Sequence, residues 1–179
     1  VSRNGEEDLR GFEWRYLWRL CQDQSIFTFR GHGLGVQSLA ISPDGKILAS
    51  AAVRDGEHEI MLWDIVTRLK VASFATGADA RFIAFTPDGV SLAVGGWNGP
   101  AQLWDVATRR KVATFDGQDG KVENLAFSPD GQTLVTGTMG GDGTMAVWDV
   151  ATRKLRRSLP GLPTDRPWIA FSPDGQTMA

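Results

Sequence analysis

A four-residue turn signature recurs along this chain at a nearly constant interval, and that periodicity constrains the fold more than any other feature. Ser or Thr followed by Pro-Asp-Gly begins at Ser42, Thr86, Ser128 and Ser172, at intervals of 44, 42 and 44 residues. A Trp-Asp pair keeps step with it at Trp63-Asp64, Trp104-Asp105 and Trp148-Asp149. Each pair is followed at the same distance by Thr-Arg: Thr67-Arg68, Thr108-Arg109 and Thr152-Arg153. An alanine stands two residues before every turn, at Ala40, Ala84, Ala126 and Ala170. Interlocked features in one order at one period mean a repeat architecture. Each unit then buries its apolar face only by stacking on its neighbours.

The residues within each unit read as strands. Proline presets φ at the second turn position, Asp tolerates the third and Gly supplies the permissive end. Short apolar runs flank each turn, so the turn reads as a tight hairpin. Four strands per unit follow; in the second unit they fall near residues 81–85, 91–95, 101–104 and 111–115. The first run of each unit is apolar on both faces, as in Leu39, Ala40 and Ile41, or Ile83, Ala84 and Phe85. A strand sandwiched between neighbouring sheets needs that composition. The recurring alanine would let adjacent sheets approach closely. A helical solenoid of this period is disfavoured, because turns and β-branched residues at this density leave no room for two helices per unit.

This pattern resembles the WD-repeat (WD40) β-propeller family, with units of about 40–45 residues and four strands per blade. The resemblance covers residues 25–179 and implies a non-catalytic scaffold. It further implies that a His, a strand Ser or Thr, the Trp and a loop Asp form a hydrogen-bonded network stapling each blade. Gly31-His32 matches the family's Gly-His step, whereas the later units carry Gly77-Ala78, Gly117-Gln118 and Gly161-Leu162. Only the first unit is thus expected to hold the network, through His32, Ser50, Asp55 and Trp63. The third keeps Thr136, Asp142 and Trp148 without a His, and the second has Trp104. The later blades are expected to rely more on packing.

The fold expected is all-β, a partial propeller of about three and a half blades after a short N-terminal helix. Residues 1–24 form the helix and linker, and repeats span about 25–69, 70–110, 111–154 and 155–179, the last truncated. Residues 25–30 read as an outer strand with no blade of its own. An arc of this kind leaves sheet faces and strand edges open. A fragment of a longer protein is the favoured explanation, ahead of two copies closing one ring, with a free-standing arc last. Within residues 6–22, Leu9, Phe12, Tyr16, Leu17 and Leu20 recur at helical spacing behind an acidic start. That helix reads as a strut. The stretch 9–21 resembles, less specifically, the join before WD repeats in bacterial multidomain signalling proteins, some with a Ser/Thr kinase upstream.

Composition narrows the partners. Nineteen basic residues face 21 acidic ones, for a net charge of −2. A nucleic-acid partner needs a concentrated cationic surface, so none is expected. No apolar run reaches membrane-spanning length. The single Cys21 gives no internal disulfide, which favours a cytoplasmic location. No catalytic constellation, metal site or cofactor motif emerges: the turn aspartates are explained by turn chemistry, and His58 between Glu57 and Glu59 reads as a solvated loop. The cluster Arg153, Lys154, Arg156 and Arg157 reads as edge-protecting charge.

Contacts to a protein or peptide are expected on the face that gathers the loops between second and third strands and between successive units. Arg54, His58, Trp97, Asn98, Met139 and Asp142 fall there, with Arg81 and Trp168 near the starts of inner strands. Trp97 stands out as an aromatic in a Gly-rich loop with little core to serve. The function expected is a scaffold or sensor binding protein or peptide, with self-association as a further route to closing the ring. The alternative is the regulatory region of a bacterial signalling enzyme such as a Ser/Thr kinase.

Overall fold

The computed structural model describes residues 27–33, 35–54, 56–118, 121–139, 144–160 and 169–179. Residues 1–30 and 31–179 form two separate units. The expected helix within 6–22 lies outside the described residues, as do Asp55, Asp142 and Trp168. Of the proposed outer strand at 25–30, the described part (27–30) carries no strand; there Phe27 and Phe29 meet edge to face at 5.1 Å. A strand exists only where a ladder partner satisfies its backbone, and a β-forming composition does not supply one.

The second unit is all-β and holds twelve strands among its described residues. They are β1 (Val36–Ile41), β2 (Ile47–Arg54), β3 (Glu57–Asp64), β4 (Lys70–Ala75), β5 (Phe82–Phe85), β6 (Ser91–Gly95), β7 (Ala101–Asp105), β8 (Lys111–Phe115), β9 (Lys121–Phe127), β10 (Thr133–Met139), β11 (Thr144–Asp149) and β12 (Leu155–Pro160). They pair as three four-stranded antiparallel meanders, β1–β4, β5–β8 and β9–β12. This is the arrangement of part of a β-propeller. The four strands expected in the second repeat agree with β5–β8 to within one residue at each end.

Each Pro-Asp-Gly turn carries more hydrogen bonding than turn tolerance requires. Ser42 Oγ donates to Asp44 Oδ1 at 2.6 Å and accepts the Ile47 N–H at 2.9 Å, while Lys46 N–H reaches the same carboxylate oxygen at 3.1 Å. The same three bonds recur around Thr86, Ser128 and Ser172. The closing glycine sits at φ near +70° in all four turns, a region that costs residues with a Cβ. Successive turns stack: a Cβ on Gly89, Gly131 or Gly175 would lie 3.3–3.4 Å from Cδ of Pro43, Pro87 or Pro129 in the preceding repeat. Gly175 belongs to the hairpin of residues 169–179, where Phe171 bridges Met178.

The Trp-Asp pairs end the third strand of each sheet. Asp64, Asp105 and Asp149 accept the N–H of the Thr three residues on, at 2.6–2.7 Å. The arginines that follow, Arg68, Arg109 and Arg153, take φ of 61–64°. A one-residue bulge sits beside each Trp in the pairing to the outer strand.

Two apolar clusters bind the sheets in series. Ala49, Ala51, Ile60 and Leu62 of the first sheet pack on Ile83, Phe85, Leu92, Val94 and Trp104 of the second. Ala93, Leu103 and Phe115 of the second pack on Leu125, Leu134 and Trp148 of the third. The expectation that first strands are buried on both faces fails for β1. Leu39 and Ile41 are 60% and 61% exposed, against 7% and 8% for their counterparts Ile83 and Phe85. The reason is the stacking itself: β5 has a sheet against that face, and among the described residues β1 does not.

Candidate binding site at the loop end of the sheets

The turns described above all lie at one end of the sheets, so the β2–β3, β4–β5, β6–β7 and β8–β9 connections gather at the other. There His58, Asp79, Arg81, Trp97 and Lys121 converge. Asp79, whose side chain is 2% exposed, organises them. One carboxylate oxygen accepts from Arg81 Nε at 3.1 Å and from the Trp97 backbone N–H at 3.0 Å. The other lies 3.0 Å from His58 Nε2. The first sheet supplies His58, the second Asp79, Arg81 and Trp97, and the third Lys121.

Local sequence explains each placement. Strand alternation puts His58 on the same face of β3 as Ile60 and Leu62, toward the second sheet, and puts Glu57 and Glu59 on the opposite face. The three residues therefore do not converge. Among the described residues, no group of three or more His, Cys, Asp or Glu could hold a metal ion. Arg81 donates its backbone N–H to the Gly95 carbonyl at 2.9 Å, which fixes the entry to β5. Gly96 is required where it stands: a Cβ there would lie 2.4 Å from the Asp79 carbonyl oxygen. Val122 N–H bonds the Gly96 carbonyl at 2.9 Å and brings the start of β9 against the Trp97 loop.

Trp97 is 38% exposed. The Arg81 guanidinium lies 3.7 Å from a ring centroid of its indole and Lys121 Nζ lies 5.0 Å away. At the same distance from the Pro-Asp-Gly turn, the other repeats carry Val53 and Met139. His58 is likewise particular to its repeat, with Gly99 and Gly143 in the corresponding positions. Trp97 and His58 are thus features of single repeats rather than of the repeat pattern. Asn98 is exposed in the same loop, and Arg54 and Met139 end β2 and β10 at this end. Asp79 and Lys121 were not singled out in the sequence. The available signal was Asp79-Ala80-Arg81, an acid and a base two residues apart directly before an inner strand.

The stapling residues occupy the sheet interiors, where each Trp indole N–H finds its acceptor differently. In the first sheet, Trp63 Nε1 donates to Ser50 Oγ at 2.8 Å, and His32 Nε2 lies 2.6 Å from the same oxygen. Burial pushes the His32 pKa below its ordinary value; Glu59 opposes that shift and Lys70 adds to it. In the third sheet, Trp148 Nε1 donates to Thr136 Oγ1 at 2.8 Å. Thr136 Oγ1 donates to Gln118 Oε1, and Gln118 Nε2 reaches the carbonyls of Thr136 and Thr144 at 3.2 and 3.3 Å. The third sheet thus holds a network of its own in which no His takes part. Gln118 fills the histidine's place, 18 residues before its hydroxyl partner as His32 is before Ser50. In the second sheet Val94 replaces the hydroxyl, and Trp104 Nε1 donates instead to Gln102 Oε1 at 3.0 Å.

The charged cluster of the third repeat lies at the opposite end and edge. Arg153, Lys154, Arg156 and Arg157 are exposed, and Arg156 Nε donates to Asp149 at 3.0 Å.

Comparison with known proteins matches residues 23–64 and 109–149 to the family described as WD domain, G-beta repeat. WD repeat-containing protein SL1-17 of Schistosoma mansoni is 33% identical over 125 residues, 69% of this chain and 40% of that protein. WD repeat-containing protein VIP3 of Arabidopsis thaliana is 33% identical over 144 residues, 72% of this chain and 43% of that protein. Telomerase protein component 1 of Rattus norvegicus is 26% identical over 129 residues, 72% of this chain and 5% of that protein. The chain thus spans less than half the length of each of these relatives, all of them eukaryotic.

Proposed function

Because the chain is built on WD40 repeats, a family of typically non-catalytic protein-interaction scaffolds, we propose that it binds a protein or peptide at the loop end of its sheets. The observation that carries this reading is Trp97. A buried carboxylate and a glycine without room for a Cβ hold a large aromatic side chain part-exposed in a loop, at a position the other repeats fill with Val or Met. Exposed, rigidly held aromatics beside Arg are the side chains that dominate interface energetics. The net charge of −2 supports a protein partner over nucleic acid, and the lone Cys21 supports a cytoplasmic setting.

The test is selection from a random displayed-peptide library on the immobilised chain. Sequences enriched on the wild type should be lost on Trp97→Ala and retained on Val66→Ala, which alters an exposed side chain at the far end. Equal enrichment on the wild type and Trp97→Ala would remove this end of the sheets as the binding surface.

A separate observation favours self-association as a second property. Leu39 and Ile41 are open where the equivalent face of β5 is covered by a neighbouring sheet. We propose that a second copy of the chain covers this face in solution. Sedimentation should then show concentration-dependent association that Leu39→Glu abolishes, and a monomer at every concentration refutes it.

A further inference from the structure

We propose that the Trp97 site selects acidic peptides, in which a carboxylate side chain neighbours an apolar one; this rests on reading the loop end as a peptide-binding surface. Among the described residues, the charged groups facing Trp97 are two cations, Arg81 and Lys121, with one carboxylate, Asp79, behind them. Among these groups positive charge is in surplus. Asp79 is spent internally: it is buried, and it holds Arg81 through Nε and the Trp97 loop through its backbone. The Arg81 contact to Asp79 is made by Nε, on a side chain that stays 25% exposed, so we infer that its terminal guanidinium nitrogens are available to a ligand. Lys121 is exposed, and no acidic side chain among the described residues forms an ion pair with it.

Neither cation is explained by the repeat. The positions matching Arg81 hold Gln37 and Glu123, and those matching Lys121 hold Gly35 and Asp79. Two cations from different sheets are thus brought to one aromatic ring in a chain whose net charge is negative. A cation over an indole face is stabilised while its outer side remains free to meet an anion. The exposed part of the ring offers apolar contact within one residue's reach of Lys121 Nζ. A surplus of about one positive charge matches a single carboxylate. A phosphoryl group, at about −1.5 to −2, would overfill it. Electrostatic complementarity of this kind sets specificity and association rate, and it weakens with salt.

The experiment uses the 179-residue chain and four fluorescein-labelled decapeptide pools read by fluorescence anisotropy. All share a central Leu or Phe; the flanking residues are Asp and Glu, or Asn and Gln, or Lys and Arg, or phosphoserine. The acidic pool should bind tightest and weaken with added salt. Lys121→Glu should cut that binding ~10-fold or more, as reversing one charge of a close pair does. Lys111→Glu, the same charge change on an exposed residue at the far end, should leave it unchanged and so controls for net charge. Circular dichroism of each variant reports whether it folds.

If the neutral or basic pool binds as well as the acidic one and Trp97→Ala abolishes binding, the acidic preference falls while peptide binding at Trp97 stands. Tighter binding of the phosphoserine pool refutes the carboxylate assignment. If no pool binds, or if Trp97→Ala binds as the wild type does, both the preference and the reading of this surface fall.

Discussion

Replacing Thr136 by Val tests the idea that the third sheet is stapled by Gln118 in place of histidine. The substitution keeps side-chain volume and β-branching, so packing around Trp148 is preserved and only the hydroxyl is lost. Thr136 is fully buried and Trp148 is 1% exposed, so no water reaches the indole N–H once its acceptor at 2.8 Å is gone. An orphaned buried donor costs about 1–3 kcal/mol. Gln118 also loses the hydroxyl as a donor, but it is half-buried and keeps its two carbonyl contacts, so its share is smaller. The expected loss is therefore about 2 kcal/mol. With a urea dependence of about 1–3 kcal/mol per molar, the midpoint falls by roughly 1 M. Thr136→Ser keeps the hydroxyl and loses one methyl, which costs about 1 kcal/mol. Urea titration followed by circular dichroism should thus rank wild type above Ser above Val. A Val variant as stable as the Ser variant would refute the network as a stabilising element. Gln118→His should lie closer to wild type than Gln118→Leu.

Three further outcomes follow from the turns and the site. Hydrogen bonds depress the pKa of each turn carboxylate: first from the Ser or Thr hydroxyl at Asp44, Asp88, Asp130 and Asp174, and from Thr67 or Thr108 at Asp64 and Asp105. At Asp149 the Thr152 N–H and then Arg156 bring it to about 2. A depressed native pKa contributes stability that is fully present above the unfolded value near 3.8 and is lost as pH falls through the native value. Stability set by these groups should be flat above about pH 5 and decline from pH 4 toward 2, with a shallower decline in Asp149→Asn. An acid-unfolding midpoint above pH 5, read by circular dichroism, would assign acid sensitivity to other groups. Arg109 is exposed at φ 61°, so Arg109→Val should lower stability by about 1–2 kcal/mol while Arg109→Gly leaves the melting temperature unchanged or higher. A melting temperature unaffected by Val would show that this conformation carries no cost. Gly96→Ala drives a Cβ onto the Asp79 carbonyl and should cost about 1–3 kcal/mol in thermal melts, with the Trp97 loop displaced; unchanged stability would show that the loop can yield.

The period of the turns and the Trp-Asp pairs was enough to place the second sheet's strands within a residue, because each strand is bounded by a turn whose chemistry is local. What the sequence left obscure depended on contacts between repeats. Nothing local in Leu39 and Ile41 distinguishes them from Ile83 and Phe85, since burial is set by whichever sheet stacks above them. Gln118 is not legible as a network residue because the family pattern has an imidazole there, whereas the position asks only for a side chain that bonds a hydroxyl 18 residues later. Trp97, His58 and Arg81 were separately visible as residues with no role in the repeat. Their meeting was not, because it runs through Asp79 and brings three sheets together.

The second sheet has the least orthodox internal staple, with no His and with valine where its neighbours carry a hydroxyl, and it is the sheet packed between two other four-stranded sheets. Among the described residues the four-stranded sheets pack in series, which makes the middle one the mechanical link. A disturbance there would uncouple the outer two, and with them the His58 and Lys121 sides of the Trp97 site, which meet only through it.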